Sequence, residues 1–393
     1  MKPTVLQLVD SFNRGGSELQ ALQLTRLLHE SGSFNVRLSS LGPEGPLRSD
    51  AEALNIGDIP SFPLNSFYDL NALLQLSRLV TFLRKSRIDI LHTHDFYTNI
   101  FGMAAATLAR VPIRIASMRE TIGMRSSAQE RVQRFAYQLA HHVVGNSEAV
   151  RSKLIEQGIK QEKISVIYNG LDMKRLASPT RAEALSLLGI SKEVGRSQKF
   201  VTILANLRHE VKDHPTFLRA AQIVHSRVPE SAFLLAGEGN LSNQMQALAT
   251  ELGIEKSTYF LGRCDNVGAL LKLSDVCVLS SKGEGFANAI LEYMAAARPV
   301  VATEVGGAVE IITEGITGFL VPSGDHGAMA SRIIDVLQDP VMARAMGEEG
   351  RRVVETKFSC ANQLRSTAEL YIRLLIGTRS KLVSVTPPST DSD

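Results

Sequence analysis

The chain has 393 residues, 44% of them hydrophobic and 21% charged, which is the balance of a soluble globular protein. A net charge of +3 without interleaved aromatic residues argues against a nucleic-acid binder, and no apolar run approaches the ~20 residues that cross a bilayer. The three cysteines, Cys264, Cys277 and Cys360, show neither paired nor metal-ligand spacing, which speaks against a disulfide frame or a metal site and for a reducing, cytoplasmic compartment.

The length exceeds one ordinary core and predicts two domains. Residues 5–9 read as a buried first strand, followed by a Gly-rich turn and a helix over about 17–30. Further strands are predicted at 36–41, 88–92, 113–118, 143–145 and 164–167, with a helix over 73–84. A second series starts with a strand at 199–205 and a helix at 214–228 that carries Pro215 near its first turn. Strands at 232–236, 258–261, 275–279 and 300–303 follow. The polar interval 175–198, with Pro179 and Gly195, reads as the join, so the domains are set at 1–177 and 178–360. A last helix over 361–377 precedes a tail, 380–393, whose Pro387-Pro388 and Ser-Thr-Asp composition predicts disorder. Regular alternation of strands and helices predicts an α/β protein with parallel sheets.

The most informative stretch is Gly283-Glu284-Gly285-Phe286-Ala287-Asn288-Ala289-Ile290-Leu291-Glu292. Two glutamates stand eight positions apart, the first in a Gly-rich turn and the second at the start of an apolar helix. Asn288 is expected to cap that helix, and Glu292 to lie in its first turn. The helix start offers backbone N–H groups to an anion. A diphosphate there would have a carboxylate on each side for hydroxyl groups. After the second-series strand at 199–205, Arg208 and Lys212 supply cations that would hold a diphosphate and stabilise it as a leaving group. Gly15-Gly16-Ser17-Glu18 follows the first strand in the other half, a glycine turn opening a helix that does not match the dinucleotide fingerprint.

This ordered set resembles the E-x7-E signature of retaining glycosyltransferases of family 4, also called glycosyl transferases group 1. Asp275-Val276-Cys277-Val278-Leu279 before it, and Gly306-Gly307, Glu310 and Gly318-Phe319-Leu320-Val321-Pro322 after it, belong to the same likeness. The resemblance implies the GT-B fold: two doubly wound Rossmann-like domains facing a cleft, with the C-terminal helix crossing back onto the first. It implies transfer of a sugar from a UDP- or GDP-linked donor to an acceptor hydroxyl with retained configuration, with no cofactor and no metal. Glu284, Arg208 and Lys212 take the catalytic roles. Gly16, Phe286, Ala287, Asn288 and Glu292 take the donor. The arginine departs from the commoner Gly-Arg-Leu text of the family, since Asn206-Leu207 precedes Arg208 here.

On the acceptor side, His92, His94 and Asp95 close a predicted strand, and Arg119 stands where many relatives carry a histidine. These histidines read equally as acceptor contacts or as core residues. The basic residues of the first half, among them Arg84, Lys85, Arg125, Arg131 and Arg134, read as a solvated face or as attraction to an anionic acceptor or membrane surface. Acceptor classes left open are lipid-linked saccharides, polysaccharides and small molecules. The rival readings are an epimerase or phosphorylase of the same fold, and a non-catalytic sugar-nucleotide binder.

Overall fold

The computed structural model describes residues 2–383 except 65, 68, 122–124, 177–178 and 192–197, and leaves the side chains of 175 and 379–383 undescribed. Its chain divides into two compact units. Unit 1 comprises residues 1–119, 123–170 and 360–393, and unit 2 comprises 120–122 and 171–359. The division falls at Gly170, ahead of the polar interval in which the sequence places the join. Part of that interval, 181–187, is helical rather than a bare linker, and 192–197 lies outside the described residues.

Unit 1 is a six-stranded parallel sheet in the order β2-β1-β3-β4-β5-β6. Its strands are β1 (Thr4–Val9), β2 (Asn35–Ser40), β3 (Ile90–Thr93), β4 (Ile113–Met118), β5 (His142–Gly145) and β6 (Ile164–Val166). The covering helices are α1 (Gly16–Glu30), α2 (Arg48–Glu52), α3 (Leu70–Lys85), α4 (Phe96–Ala109), α5 (Ser127–Leu139) and α6 (Glu148–Glu156). Strand periodicity sorts the core into two layers. Leu6, Leu8 and Leu91 pack with Leu79, Phe101 and Ala105 of α3 and α4. Val5, Ile90, Ile113 and Ile115 pack on the other face with Leu24 and Leu28 of α1 and with Leu370 and Tyr371. The last two come from the final helix, Cys360–Val383, which therefore belongs to unit 1. It extends past Ser380, where the sequence reading starts its tail, and 384–393 lie outside the described residues.

Unit 2 begins with α7 (Arg181–Leu187) and holds the parallel sheet β12-β11-β10-β7-β8-β9. The strands are β7 (Lys199–Leu204), β8 (Ser231–Ala236), β9 (Thr258–Gly262), β10 (Ser274–Leu279), β11 (Val300–Thr303) and β12 (Phe319–Val321). Its helices are α8 (His214–Arg227), α9 (Ser242–Glu251), α10 (Val267–Leu273), α11 (Asn288–Ala295), α12 (Ala308–Ile311), α13 (His326–Gln338) and α14 (Pro340–Lys357), and the final helix is α15. Counted within the unit, the order is 3-2-1-4-5-6, the doubly wound dinucleotide-binding arrangement. The order reverses between β7 and β10. Ligands in such sheets bind outside the carboxyl ends of the strands at that switch point.

Candidate donor and acceptor sites

The two loops at the unit 2 switch point are those the sequence singles out. After β7 the chain passes Arg208 and a short 3-10 turn, Glu210–Lys212, before α8 starts at His214. After β10 it runs through Ser280 to Glu284 and into α11. Backbone bonds tie the loops together: Lys282 N donates to Val211 O at 2.7 Å, and Ser280 Oγ donates to Lys212 O at 2.8 Å. Across this seam Lys212 Nζ meets Glu284 Oε1 at 2.5 Å, with side chains 22% and 11% exposed. Ser281 Oγ donates to the same oxygen at 2.6 Å. The sequence assigns the lysine and the glutamate separate ligand groups; the structure makes them partners.

Two glycine pairs press on these loops. A β-carbon at Gly306 would come within 1.7 Å of the Glu284 carbonyl oxygen, and Gly306 has φ +51°. Gly307 N donates to Gly285 O at 3.1 Å. A β-carbon at Gly239 would lie 2.1 Å from the Leu207 carbonyl, which packs Gly237-Glu238-Gly239 against the loop that carries Arg208. Arg208 Nη2 pairs with Glu238 Oε1 at 2.9 Å, both side chains exposed. An exposed pair of this kind stabilises by ~1 kcal/mol or less. Sequence reasoning gives Glu238 no role, because the loop pairing that sets it against Arg208 is tertiary.

Helix α11 corrects two expectations. Its N-cap is Ala287 (φ −80°, ψ 92°), and Asn288 is already the first helical residue, with no side-chain cap at this end. Glu292 is therefore in the second turn, half-buried, where the helix dipole has largely decayed. Phe286 turns its ring inward onto Phe358, centroids 5.5 Å apart, so its side chain belongs to packing.

Unit 1 has its own switch point, between β1 and β3. Asp10 leaves β1 and Asp95 leaves β3; Asp10 N donates to Asp95 Oδ2 at 3.1 Å, while Asp95 caps α4 through Thr98. Gly15 is the N-cap of α1, and Gly16 is its first residue. A β-carbon at Gly15 would sit 2.2 Å from a carboxylate oxygen of Glu18, which folds back over the helix start. Burial raises the pKa of Asp10 and of Glu18, and burial together with the Asp10 charge raises that of Asp95 to about 7. The sequence missed Asp10 and Glu18 as members of this cluster.

His92 and His94 are buried, not open to an acceptor. Both lie on the face of the sheet that α15 covers, their rings 4.5 Å apart. Arg119 Nη2 donates to His94 Nδ1 at 3.1 Å, which leaves His94 Nε2 to donate to Gln7 Oε1 at 2.5 Å. Gln7 Nε2 donates to the Tyr371 hydroxyl at 3.0 Å. Tyr371 then donates to His92 Nδ1 at 2.7 Å, and His92 Nε2 to Ser117 Oγ at 2.8 Å. Each donor in this chain fixes the next tautomer. Burial, with Arg119 nearby, lowers the His92 pKa to about 3 and that of His94 well below its usual value, so both are neutral. Arg119, which also donates to Asn169 Oδ1 at 3.0 Å, is the partly exposed end of the network. Burial pulls its pKa down to about 10, and it keeps its charge at neutral pH.

Family models match both units: Glycosyl transferases group 1 over residues 190–353 and Glycosyltransferase Family 4 over 14–175. The chain is a family 4 glycosyltransferase. This glycosyltransferase is 31% identical over 229 residues to the putative glycosyltransferase EpsD of Bacillus subtilis, a match covering 58% of this chain and 59% of that one. It is 26% identical over 321 residues to the UDP-Gal:alpha-D-GlcNAc-diphosphoundecaprenol alpha-1,3-galactosyltransferase of Escherichia coli, covering 78% and 80% of the two chains. Among solved structures, Anabaena Alr3699/HepE with UDP and glucose superposes with a TM-score of 0.82 at 22% identity, covering 93% of this chain and 98% of that one. Sucrose-phosphate synthase of Thermosynechococcus elongatus superposes with a TM-score of 0.79 at 19% identity, covering 96% and 100%. The fold is GT-B. Among the described residues, no helix is long and apolar enough to cross a membrane, and no cluster of three or more His, Cys, Asp or Glu is placed to hold a metal ion.

Proposed function

We propose that this glycosyltransferase moves a sugar from a nucleoside-diphosphate donor to an acceptor hydroxyl with retention of anomeric configuration and without a divalent ion. The observation that carries the reading is the Lys212–Glu284 pair at the unit 2 switch point. It sets a cation and a carboxylate side by side where a diphosphate and a sugar ring would meet. Lys212, with Arg208 behind it, stabilises the departing diphosphate; a cation at ~4 Å and intermediate dielectric contributes on the order of 4 kcal/mol. Glu284 accepts from hydroxyls of the transferred sugar and Glu292 from those of the ribose. Backbone at Phe286, Ala287 and Asn288, and at Gly16, which has no side chain of its own, is assigned to close approach by donor oxygens. The glycosidic C–O bond breaks toward the diphosphate, and the acceptor oxygen attacks C1 from the same face, its proton passing to the departing phosphate oxygen.

The activities for which relatives are named support the substrate class. The Escherichia coli relative has a UDP-sugar donor and a lipid-diphosphate acceptor, another is named for capsular polysaccharide biosynthesis in Staphylococcus aureus, and HepE was crystallised with UDP-glucose. They favour a uridine donor and work in surface polysaccharide or lipid-linked glycan synthesis. The test is release of free nucleoside diphosphate from candidate donors, with and without acceptor, in excess chelator. Glu292→Ala should weaken donor binding, and Lys212→Ala should lower kcat by about 10²–10³, the loss typical of removing one leaving-group or oxyanion stabiliser. Normal transfer by both variants, or an absolute divalent requirement, would overturn the assignment. A changed sugar nucleotide formed without acceptor would indicate an epimerase instead.

A further inference from the structure

Unit 1 carries a concavity that the donor chemistry leaves without a role. It is a cleft of about 1150 Å³ at the carboxyl ends of β1 and β2 and the starts of α4 and α5. Its wall is aromatic and aliphatic. Phe67 stacks on Tyr97 with centroids 5.8 Å apart, Phe96 meets Tyr97 edge-on at 5.2 Å, and Ile100 and Val132 extend the surface. Apolar surface continues out of the cleft. Leu70, Leu73 and Leu74 are 84%, 64% and 58% exposed in the first turns of α3, directly after the loop that gives Phe67 to the wall. On α5, Phe135 is 60% exposed one turn beyond Val132. Exposed apolar surface contiguous with a groove marks a binding face.

Charge indicates what binds. The Arg125 guanidinium lies 4.3 Å from the Phe96 ring centroid, and Arg131 and Arg134 are exposed beside Val132 and Phe135 on α5. Cations along hydrocarbon suit an anionic amphiphile. Asp10, also in the lining, would repel a phosphate and accept from a hydroxyl, so the two ends of the cleft differ in what they take. We propose that this cleft holds the hydrocarbon chain of an anionic, membrane-resident lipid acceptor, with the α3 leucines against the bilayer and the α5 arginines on the phosphate. Calling the lipid an acceptor rests on the transferase reading above; the lipid binding does not.

The experiment titrates the full chain with geranylgeranyl phosphate and, separately, with methyl phosphate, which has the head but no chain. The wild-type protein should bind the first and not measurably the second. Val132→Asp, a partly exposed position, should weaken binding about tenfold or more while keeping its thermal melt. In flotation with phosphatidylcholine vesicles containing phosphatidylglycerol, the wild type should float and L73E/L74E should not. Equal binding of methyl phosphate, unchanged binding by V132D, or wild-type dimers that dissociate in L73E/L74E without any flotation would each overturn the proposal. Nucleotide-sugar binding is measured in parallel on the wild type, E292A and V132D. Lipid binding absent with donor binding normal sinks the cleft alone, whereas donor binding unaffected by E292A with lipid binding intact sinks the donor site alone.

Discussion

Tyr371 shows how a single hydroxyl can govern a set of side chains far away in sequence. It accepts from Gln7 and donates to His92, and through Gln7 it fixes the His94 face that receives Arg119. Tyr371→Phe removes one oxygen and takes a partner from two buried groups, Gln7 Nε2 and His92 Nδ1, at about 1–3 kcal/mol for each. A urea melt should show that loss, and the acceptor KM should change more than kcat if Arg119 serves the acceptor. None of this was legible in sequence. His92 and His94, two positions apart at a strand end, do predict a shared face, but the Tyr371 that bonds His92 is 279 residues away, and hydrogen-bond pairing at that separation leaves no local pattern. The Lys212–Glu284 pair was hidden for the same reason, although both residues had been singled out for their chemistry.

At the level of elements, the signature segment was legible as a turn and helix, and its detail was not. The alanines and the short polar residue suggested a cap at Asn288, yet the helix begins there, after residues 284–286 on whose backbone the Gly306-Gly307 turn packs. That packing makes a paired prediction. Gly315 also has positive φ, +70°, but open space around it, so Gly315→Ala should cost only the left-handed strain of about 1–2 kcal/mol. Gly306→Ala adds a collision with the Glu284 carbonyl and should cost more in thermal stability, with a raised KM for the donor; equal costs at the two sites would show that the loop yields freely. The strand runs 113–118 and 300–303 matched the structure end to end, since a short run holding β-branched residues (Ile113 and Ile115; Val300, Val301 and Thr303) directly after a proline has few other uses in a parallel sheet. The unit 1 cleft was invisible, because its wall is assembled from five separate segments.

For the molecule as a whole, parallel sheets were legible from alternation and their doubly wound form from the family resemblance, but strand order was not read from the residues, and strand order is what places each chemical loop at a switch point. The buried charges also make stability depend on pH in opposing ways. Asp95 titrates near 7 when folded and near 3.8 otherwise, so the folded state holds its proton longer. Its contribution to stability falls as pH rises through that interval and levels off above it. His92, neutral down to about 3, works in the opposite sense, losing stability as pH drops below about 6.5. Asp95→Asn isolates the first effect while keeping a cap-competent side chain. The melting temperature of this variant relative to wild type should climb between pH 5 and pH 8, and a flat difference would mean the carboxyl group is not held protonated.

The return of α15 to unit 1 bears on how the chain is made. Leu370 and Tyr371 complete the layer of Val5, Ile90 and Ile113, yet they are translated only after all of unit 2. A ribosome adding about 5–20 residues per second therefore leaves that face of the nascent amino-terminal half only partly covered, by α1 without α15, for some tens of seconds. Order of synthesis and order of completion are thus inverted, and that partly covered interval is when a chaperone has most to protect.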